Sequence, residues 1–256
     1  MTEADTIRCG DVTVRDLAKS FALNGQPLNV LRDLQFRVEA GEALAIVGPS
    51  GCGKSTLLRI LAVLEAPDSG SVLIDGDPVQ GVGTERAIIF QELRLLPWLT
   101  VLGNVAFGLQ VRGVSRSEAE QRAHHHIRLV GLEEFEKAYP RQLSGGMAQR
   151  VGIARALIVQ PGNLLLDQPL GALDAMRRLT MREELARIWR EEQVTMILVT
   201  HDLEEAIFPA DRVLVLPKGR GSKRRLIEIT LPQPKDRSSV KFVALRRQLM
   251  AQLGLH

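Results

Sequence analysis

A glycine-rich segment near the N-terminus has the residue types and spacing of a phosphate-binding loop. Residues 48–55 read GPSGCGKS, a full match to G-x-x-x-x-G-K-[ST]. Glycines let the backbone turn tightly enough to aim successive N–H groups inward, and a helix starting near Gly53 adds the positive end of its dipole. Lys54 can reach the β- and γ-phosphates, and the Ser55 hydroxyl can ligate a Mg²⁺ that bridges them. The segment therefore predicts a site for a nucleoside triphosphate with magnesium, and the alternative is an ordinary glycine-rich turn. The residues expected to contact the nucleotide here are Gly48, Pro49, Ser50, Gly51, Cys52, Gly53, Lys54, Ser55 and Thr56.

The segments on either side are those that such a loop needs. Periodicity and turn residues predict short β-strands over the first part of the chain and a helix directly after the loop. We expect the strands to form a mainly antiparallel edge layer beside a nucleotide-binding sheet. The predicted strands are residues 12–14, 34–38, 43–47 and 71–74, and the predicted helix is 56–64.

Helical and strand patterns continue through the rest of the chain. Residues 101–132 have helical spacing, with Ser115 and Ser117 near a plausible N-cap, and predict an inserted helical subdomain. Continuous apolar runs predict buried strands, and the remaining patterns predict further helices and a hairpin. The predicted elements are a helix at 145–159, a strand at 163–167, an amphipathic helix at 177–192, a strand at 195–200, a hairpin of 212–216 with 226–230, and a helix at 241–255.

A carboxylate ends one of the predicted buried strands. Asp167 follows Leu164, Leu165 and Leu166. Because ligands gather at the carboxyl ends of parallel strands, Asp167 is expected beside the phosphate loop, where it can hold the magnesium. The alternative is a core strand that ends in a capping aspartate.

The segment between these two elements carries a family resemblance. Residues 143–157 read LSGGMAQRVGIARAL, which resembles the signature motif of ABC-transporter ATPase subunits. Gln91 is similar to the Q-loop glutamine of that family, Asp174 to the D-loop aspartate, His201 to the switch histidine, and Phe21 to the aromatic residue that stacks on adenine. The similarity covers residues 10–232, and residues 95–98 and 169–174 resemble importer ATPases of the nitrate, sulfonate and taurine group.

The resemblance implies a fold and a domain organisation. The fold class it implies is α/β, a P-loop NTPase (RecA-like) core with an antiparallel β subdomain and an inserted α-helical subdomain. The nucleotide-binding domain would span residues 1–235, with the helical subdomain at about 96–160, and a helical tail would follow at 236–256.

The resemblance also implies cofactors, partners and residue roles. ATP and Mg²⁺ would be the cofactors, with Ser55, Gln91 and Asp167 at the metal. The signature residues would cap the γ-phosphate held by a second copy of the chain, so that ATP closes a head-to-tail dimer. Integral-membrane permease subunits, and indirectly a solute-binding protein, would be the other partners, at the cytoplasmic face of the inner membrane. The signature residues are Ser144, Gly145, Gly146 and Met147, and the residues expected at the reacting phosphate are Gln168, His201, Gln91 and Asp174.

One position departs from the family pattern. Gln168 follows Asp167, where the family has a glutamate that acts as general base or orients the attacking water. An amide does not accept that proton, and positioned general bases contribute about 10²- to 10⁴-fold to a rate. We therefore expect normal ATP binding with slow turnover. A deliberate Glu→Gln change and a naturally weakened site in a heteromeric complex both fit the sequence.

Composition narrows the classes of function. The 256 residues, 45% of them hydrophobic, suffice for a large core. Two cysteines, Cys9 and Cys52, are too few for a disulfide framework and indicate a reducing compartment. The N-terminal segment has no apolar signal region, and the chain has no run of about 20 apolar residues, so we expect a membrane role to go through a partner. The net charge of +3 comes from dispersed residues and does not argue for nucleic acid.

The resemblance implies that the chain is the ATP-hydrolysing motor of an importer for a small anionic solute, and the sequence leaves two alternatives open. A soluble ABC-type ATPase acting on nucleic acid or ribosomes is one, although the chain has a single set of motifs and no long insertion between Lys54 and Ser144. An ATP-gated regulatory module without turnover is another.

Three further features invite a function, and each has an ordinary interpretation. Residues 124–126 are three histidines, which point in different directions on a helix and predict no metal site. Residues 218–225 read KGRGSKRR and are interpreted as a solvated hairpin tip. Trp98 is interpreted as a core residue; the functional alternative places residues 96–99 in a groove that receives a short permease helix.

Overall fold

The computed structural model describes residues 10–254 except residues 82, 84, 93, 172–174 and 217–223. Within that part of the chain the strands form two sheets, and seven α-helices accompany them. The helices are α1 (Lys54–Leu61), α2 (Val101–Val111), α3 (Arg116–Leu129), α4 (Gly145–Leu157), α5 (Ala175–Glu192), α6 (Leu203–Ile207) and α7 (Val240–Gln252).

The first sheet is antiparallel throughout. Its strands are β1 (Val12–Leu23), β2 (Gln26–Val38), β4 (Ser69–Ile74) and β5 (Asp77–Pro78), in the order β2-β1-β4-β5. A turn at Asn24 and Gly25, both at positive φ, joins β1 to β2. Three of the four predicted N-terminal strands belong to this sheet, which confirms the antiparallel layer.

The second sheet is mainly parallel and contains the fourth of those strands. Its members are β3 (Ala43–Val47), β6 (Arg86–Ile89), β7 (Asn163–Asp167), β8 (Thr195–Thr200), β9 (Arg212–Val215) and β10 (Arg225–Glu228), in the order β10-β9-β3-β8-β7-β6. β10 runs antiparallel to β9, which confirms the predicted hairpin. Grouping residues 43–47 with the edge layer was wrong, because β3 pairs with β8 and β9 at the centre of the parallel sheet. Most of the predicted hairpin tip at 218–225 lies outside the described residues, which omit 217–223.

Alternate residues of β3 face different cores, as the period of a strand requires. Leu44 and Ile46 pack with α1 and the antiparallel sheet. Ala45 and Val47 pack with α6, α7 and β9 on the other face. All four side chains are fully buried, and each buried Leu or Ile contributes about 1.5–3 kcal/mol. The strand that precedes the phosphate loop is therefore held from both sides.

Three helices lie between β6 and β7 in the chain, where the sequence predicts an inserted helical region. α2, α3 and α4 pack on one another, α4 contacts β6, and the three helices share a core cluster with residues of β7 and β8. The pattern over 101–132 resolves into two helices, with Thr100 and Ser115 as N-caps that accept hydrogen bonds from Gly103 N and Glu118 N. The cap at Ser115 confirms its prediction.

The last helix, α7, packs against α6. Phe242 and Leu249 are fully buried, and the rings of Phe208 and Phe242 lie 5.6 Å apart. Within the described ranges, no helix combines the length and the apolar character needed to cross a bilayer.

Candidate functional site

The phosphate loop joins β3 to α1 as the sequence predicts. Gly51 has φ 79° and Gly53 has φ 101°, conformations that side chains other than glycine rarely adopt. A Cβ on Gly48 would lie 2.4 Å from the carbonyl oxygen of Leu216, so this position has no room for a methyl group. The loop has the small cradle that a phosphate needs.

Lys54 lies across this cradle. Its ammonium donates to the carbonyl oxygens of Gly48 at 2.6 Å and Pro49 at 3.0 Å, and its side chain is 6% exposed. These carbonyls hold the cation at the mouth of the loop. The thiol of Cys52 lies 3.9 Å from the same nitrogen, and burial raises the pKa of this thiol.

Three parallel strands end at one level beside the loop. In the sheet register Val47 pairs with Thr200, and Asp167 pairs with Val199. The residues that follow these strands therefore meet at one edge of the sheet, as the rule for ligands at strand carboxyl ends requires.

Two oxygen groups suited to a hard cation meet at this edge. Ser55 Oγ donates to Asp167 Oδ1 at 3.1 Å. Burial raises the pKa of Asp167, while the hydrogen bond from Ser55 and the charges of Arg59 and Lys54 act in the opposite direction. Hydroxyl and carboxylate oxygens are ligands that Mg²⁺ accepts, so this pair fits a magnesium ion.

Position 168 and the histidine after β8 are in contact. Gln168 Oε1 lies 2.8 Å from His201 Nδ1, and Gln168 N donates to Val199 O at 2.8 Å. Gln168 itself has φ 46°. The left-handed conformation turns the chain sharply at the end of β7 and brings the amide to His201, which is exposed at the site.

Gln91 lies beside the same turn. It follows β6 and is exposed, and a Cβ placed on Gly171 would be 3.3 Å from Gln91 Nε2. The same Cβ would be 3.3 Å from Gln168 O. The structure thus brings Gln91, Gln168 and His201 together, whereas Asp174 lies outside the described residues.

The signature segment forms the start of α4. Ser144 is the N-cap and accepts from Met147 N at 3.4 Å, while Gly145 is exposed and Gly146 is half-buried. Within the described residues the hydrogen bonds of Ser144 stay in its own helix, so the segment is not joined to the phosphate loop of the same chain.

Phe21 lies on the β1–β2 hairpin, and residues of β2 in the same hairpin contact the phosphate loop. Its ring is 40% exposed, and Lys19 Nζ lies 5.2 Å from the ring centroid. The side chains of Val30 and Leu31 on β2 approach the Cα of Gly53 so closely that a Cβ there would be 2.8 Å and 2.7 Å from them. The hairpin that carries Phe21 therefore borders the loop.

Trp98 is 69% exposed, so its interpretation as a core residue was wrong. The turn that contains it is held by Asn104, whose amide bonds the backbone of Leu96 and Leu99 rather than Trp98. A groove of about 270 Å³ opens between the end of β6 and α4, lined among others by Phe90, Arg94 and Arg155, and Trp98 is not among its lining residues.

The three histidines lie on α3 with different surroundings. His124 pairs with Glu136 at 2.6 Å, and burial lowers the pKa of His126. Across the described part of the chain, no three histidine, cysteine or acidic side chains form a group that could hold a metal.

Sequence reasoning missed one buried acid next to the site. Glu205 in α6 is 4% exposed and accepts hydrogen bonds from Thr200 Oγ1 and from Leu170 N. Burial raises its pKa to about 7. The available signal was a charged residue directly before the buried pair Ala206 and Ile207.

A phosphate loop after β3, a carboxylate at the end of β7 and a mainly parallel sheet define a P-loop NTPase fold. The family model described as ABC transporter matches residues 31–171. The chain belongs to the ABC transporter family and is an ATP-binding cassette of that family.

Named relatives are similar over nearly the whole chain. An uncharacterized ABC transporter ATP-binding protein of Methanocaldococcus jannaschii is 45% identical over 93% of this chain and 89% of its own length. The aliphatic sulfonates import ATP-binding protein SsuB of Bacillus subtilis is 43% identical over 94% and 93%. The nitrate import ATP-binding protein NrtD of Synechocystis is 42% identical over 92% and 88%.

A solved structure is similar in fold. It is a dimeric ATP-binding cassette in a post-hydrolysis state bound to ADP and Pi, with a TM-score of 0.74 and 32% identity. The similarity covers 85% of this chain and 98% of that chain.

Proposed function

We propose that the chain is the ATP-hydrolysing, energy-coupling subunit of an importer for a small anionic solute. The observation that carries this proposal is the meeting of the phosphate loop, the Ser55–Asp167 pair and the Gln168–His201 pair at one edge of the sheet. The names of the sulfonate and nitrate import relatives support the anionic class of solute.

In this proposal the nucleotide is held by residues of the loop and its borders. Backbone N–H groups of residues 48 and 50–53 and the ammonium of Lys54 bind phosphate oxygens, Pro49 shapes the turn between them, and Thr56 lies one residue beyond the magnesium ligand Ser55. Phe21 stacks on the adenine. ATP with Mg²⁺ supplies the phosphoryl group and neutralises its charge.

The metal ligands and the residues at the reacting phosphate are assigned by the same reasoning. Ser55 and Asp167 hold the magnesium, and Gln91 approaches it from the end of β6. Nε2 of His201 is the ring atom assigned to face the reacting phosphate, because Nδ1 is bonded to Gln168 Oε1 and Nε2 points away from Gln168. Asp174 is assigned to the seam between two copies.

Position 168 sets the rate in this proposal. Its amide occupies the place of the general base, so the chain binds ATP and turns it over slowly. Gln168→Glu should raise kcat by about 10²- to 10⁴-fold and leave the Kd for ATP unchanged. Phosphate release by the assembled complex measures the rate, and Gln168→Ala is the control that removes the amide without adding a carboxylate. An unchanged rate for the Glu variant contradicts the general-base assignment.

A second copy of the chain is the proposed partner of the signature segment. The N-terminus of α4 has N–H groups at Gly145 and Gly146 that can bind an anion. In this proposal the anion is held by the phosphate loop of the second copy. ATP between Lys54 of one copy and Ser144 of the other would hold the two copies head to tail. ATP-dependent dimerisation, followed by light scattering, should be lost in Ser144→Arg and kept in Ser115→Arg, a matched change at another N-cap. Dimers of Ser144→Arg in ATP would contradict the assignment.

The exposed turn at Trp98 is the proposed contact with integral-membrane permease subunits. The side chain of Trp98 is 69% exposed, and an exposed aromatic residue suits contact with the short helix of a partner. We place the chain at the cytoplasmic face of the inner membrane, peripheral to the permease, with a solute-binding protein acting indirectly. Copurification of permease subunits tests this, and recovery of nucleic acid instead contradicts it.

The proposal also divides the chain into a nucleotide-binding domain and a C-terminal tail. The nucleotide-binding domain comprises residues 1–235 with the helical subdomain at about 96–160, and residues 236–256 form the tail that contains α7. Proteolysis that removes the tail and leaves a folded core would support the division at 235.

A further inference from the structure

One buried carboxylate joins the two loops that form the Gln168–His201 contact. Glu205 Oε1 accepts from Leu170 N at 3.2 Å, and Glu205 Oε2 accepts from Thr200 Oγ1. Leu170 lies two residues after Gln168, and Thr200 directly precedes His201. The carboxylate therefore ties the turn after β7 to the end of β8.

Among the described residues, two backbone hydrogen bonds also hold the turn after β7. Gly171 N donates to Gln168 O at 3.0 Å, which closes the turn on itself, and Gln168 N donates to Val199 O at 2.8 Å. Leu170 is 1% exposed, so water does not replace a lost partner of its N–H group. Within the described part of the chain, Glu205 is the side chain that accepts from Leu170 N.

Glu205 is itself held rigidly. Asp202 Oδ1 caps α6 by accepting from Glu204 N at 2.9 Å and Glu205 N at 3.0 Å. Arg182 from α5 pairs with both Asp202 and Glu204. Burying a carboxylate costs free energy compared with burying an apolar side chain. What Glu205 contributes in return is the two hydrogen bonds that it accepts.

We infer that Glu205 is a positioning residue that keeps the side chain at position 168 within hydrogen-bond distance of His201. In its effect on the rate this inference rests on the proposed function, because it assigns the geometry of the same phosphoryl-transfer site. Displacement of reacting groups by about 1 Å costs on the order of 10²-fold in rate. Glu205 thus acts through Leu170 and Thr200 without touching the nucleotide.

A measurement without turnover tests the geometry. Glu205→Met keeps the length of the side chain and removes both acceptors, Glu205→Gln keeps an oxygen for Leu170 N, and Glu204→Gln is the matched control in the same helix. ¹⁵N spectra of the His201 ring report its tautomer, because a partner at Nδ1 favours one tautomer. Assignment uses His201→Asn.

We expect a single His201 tautomer in the parent chain, in Glu205→Gln and in Glu204→Gln, and a mixture of tautomers in Glu205→Met. An unchanged His201 spectrum in folded Glu205→Met overturns the inference. If Glu205→Met does not fold, Thr200→Val removes one of the two hydrogen bonds and should also give the mixture. An unchanged spectrum in Thr200→Val then overturns it.

A kinetic measurement tests the consequence in the Gln168→Glu background. Glu205→Met should lower kcat at least about tenfold with the KM for ATP within about twofold, and Glu205→Gln should restore most of kcat. Equal kcat for Glu205→Met and its parent overturns the inference. If the Gln168→Glu parent does not hydrolyse ATP, the proposed function fails, and the His201 spectra still decide the role of Glu205.

Discussion

The pH dependence of stability tests the burial of Glu205. Burial raises the pKa of Glu205 from its ordinary value of 4.5 to about 7, and the nearby charge of Asp202 adds to this. The hydrogen bonds from Thr200 and from Leu170 N, with the charge of Arg182, act in the opposite direction. We therefore expect Glu205→Gln, which does not titrate, to change how stability depends on pH.

The sign and size follow from the two pKa values. Since the folded-state pKa lies above the unfolded-state pKa, the folded chain holds more protons between pH 4.5 and about 7. The contribution of Glu205 to the free energy of unfolding is therefore constant below this range and falls as the pH rises through it. The difference of about 2.5 between the values, at about 1.36 kcal/mol each, corresponds to about 3 kcal/mol.

Urea unfolding followed by circular dichroism at pH values from 4.5 to 8 measures this effect. The free energy of unfolding of Glu205→Gln minus that of the parent should rise by about 3 kcal/mol across the range. Glu204→Gln is the control for removing one carboxylate from α6. Parallel curves for the parent and Glu205→Gln would show that Glu205 keeps its ordinary pKa and would refute the reasoning.

Three other changes test the site and its borders. Asp167→Asn removes a carboxylate whose pKa is raised by burial, so in EDTA at pH 8 the Tm of the variant should exceed that of the parent. Mg²⁺ with ATP should then raise the Tm of the variant less than that of the parent, and equal gains would contradict the metal assignment. Gly48→Ala puts a methyl group 2.4 Å from Leu216 O and should lower the free energy of unfolding by about 1–3 kcal/mol in urea, with Gly25→Ala, where nothing lies within 4 Å, as a comparison for space alone. Trp98→Asp should change the free energy of unfolding by no more than about 0.5 kcal/mol, because the side chain is 69% exposed, yet it should abolish copurification of permease subunits; retained copurification would remove Trp98 from the interface.

The buried strands of the parallel sheet were the most predictable elements. Residues 43–47, 163–167 and 195–200 were predicted with the observed bounds, since both faces of these strands are covered and their apolar runs are continuous. The phosphate loop was equally predictable, because its glycines and its lysine are local requirements of one turn.

Shorter elements and surface positions were not predictable in the same way. β6 has four residues and α6 has five, too few for a periodic pattern to separate them from loops. Trp98 was misjudged because hydrophobicity does not reveal whether a neighbour covers a side chain. Glu205 was missed because its partner Leu170 is 35 residues away in the chain and is adjacent only after β7 and β8 pair.

The double packing of β3 has a mechanical consequence. Leu44 and Ile46 pack into a core on one face of β3, and Ala45 and Val47 pack into a core on the other. The base of the phosphate loop is therefore fixed against movement toward either face. The turn at 168–171, in contrast, is held by the packing of Leu170 and by hydrogen bonds to Val199 O and Glu205. A structural change that follows nucleotide cleavage would accordingly displace the turn at 168–171 before it displaces β3 at the base of the phosphate loop.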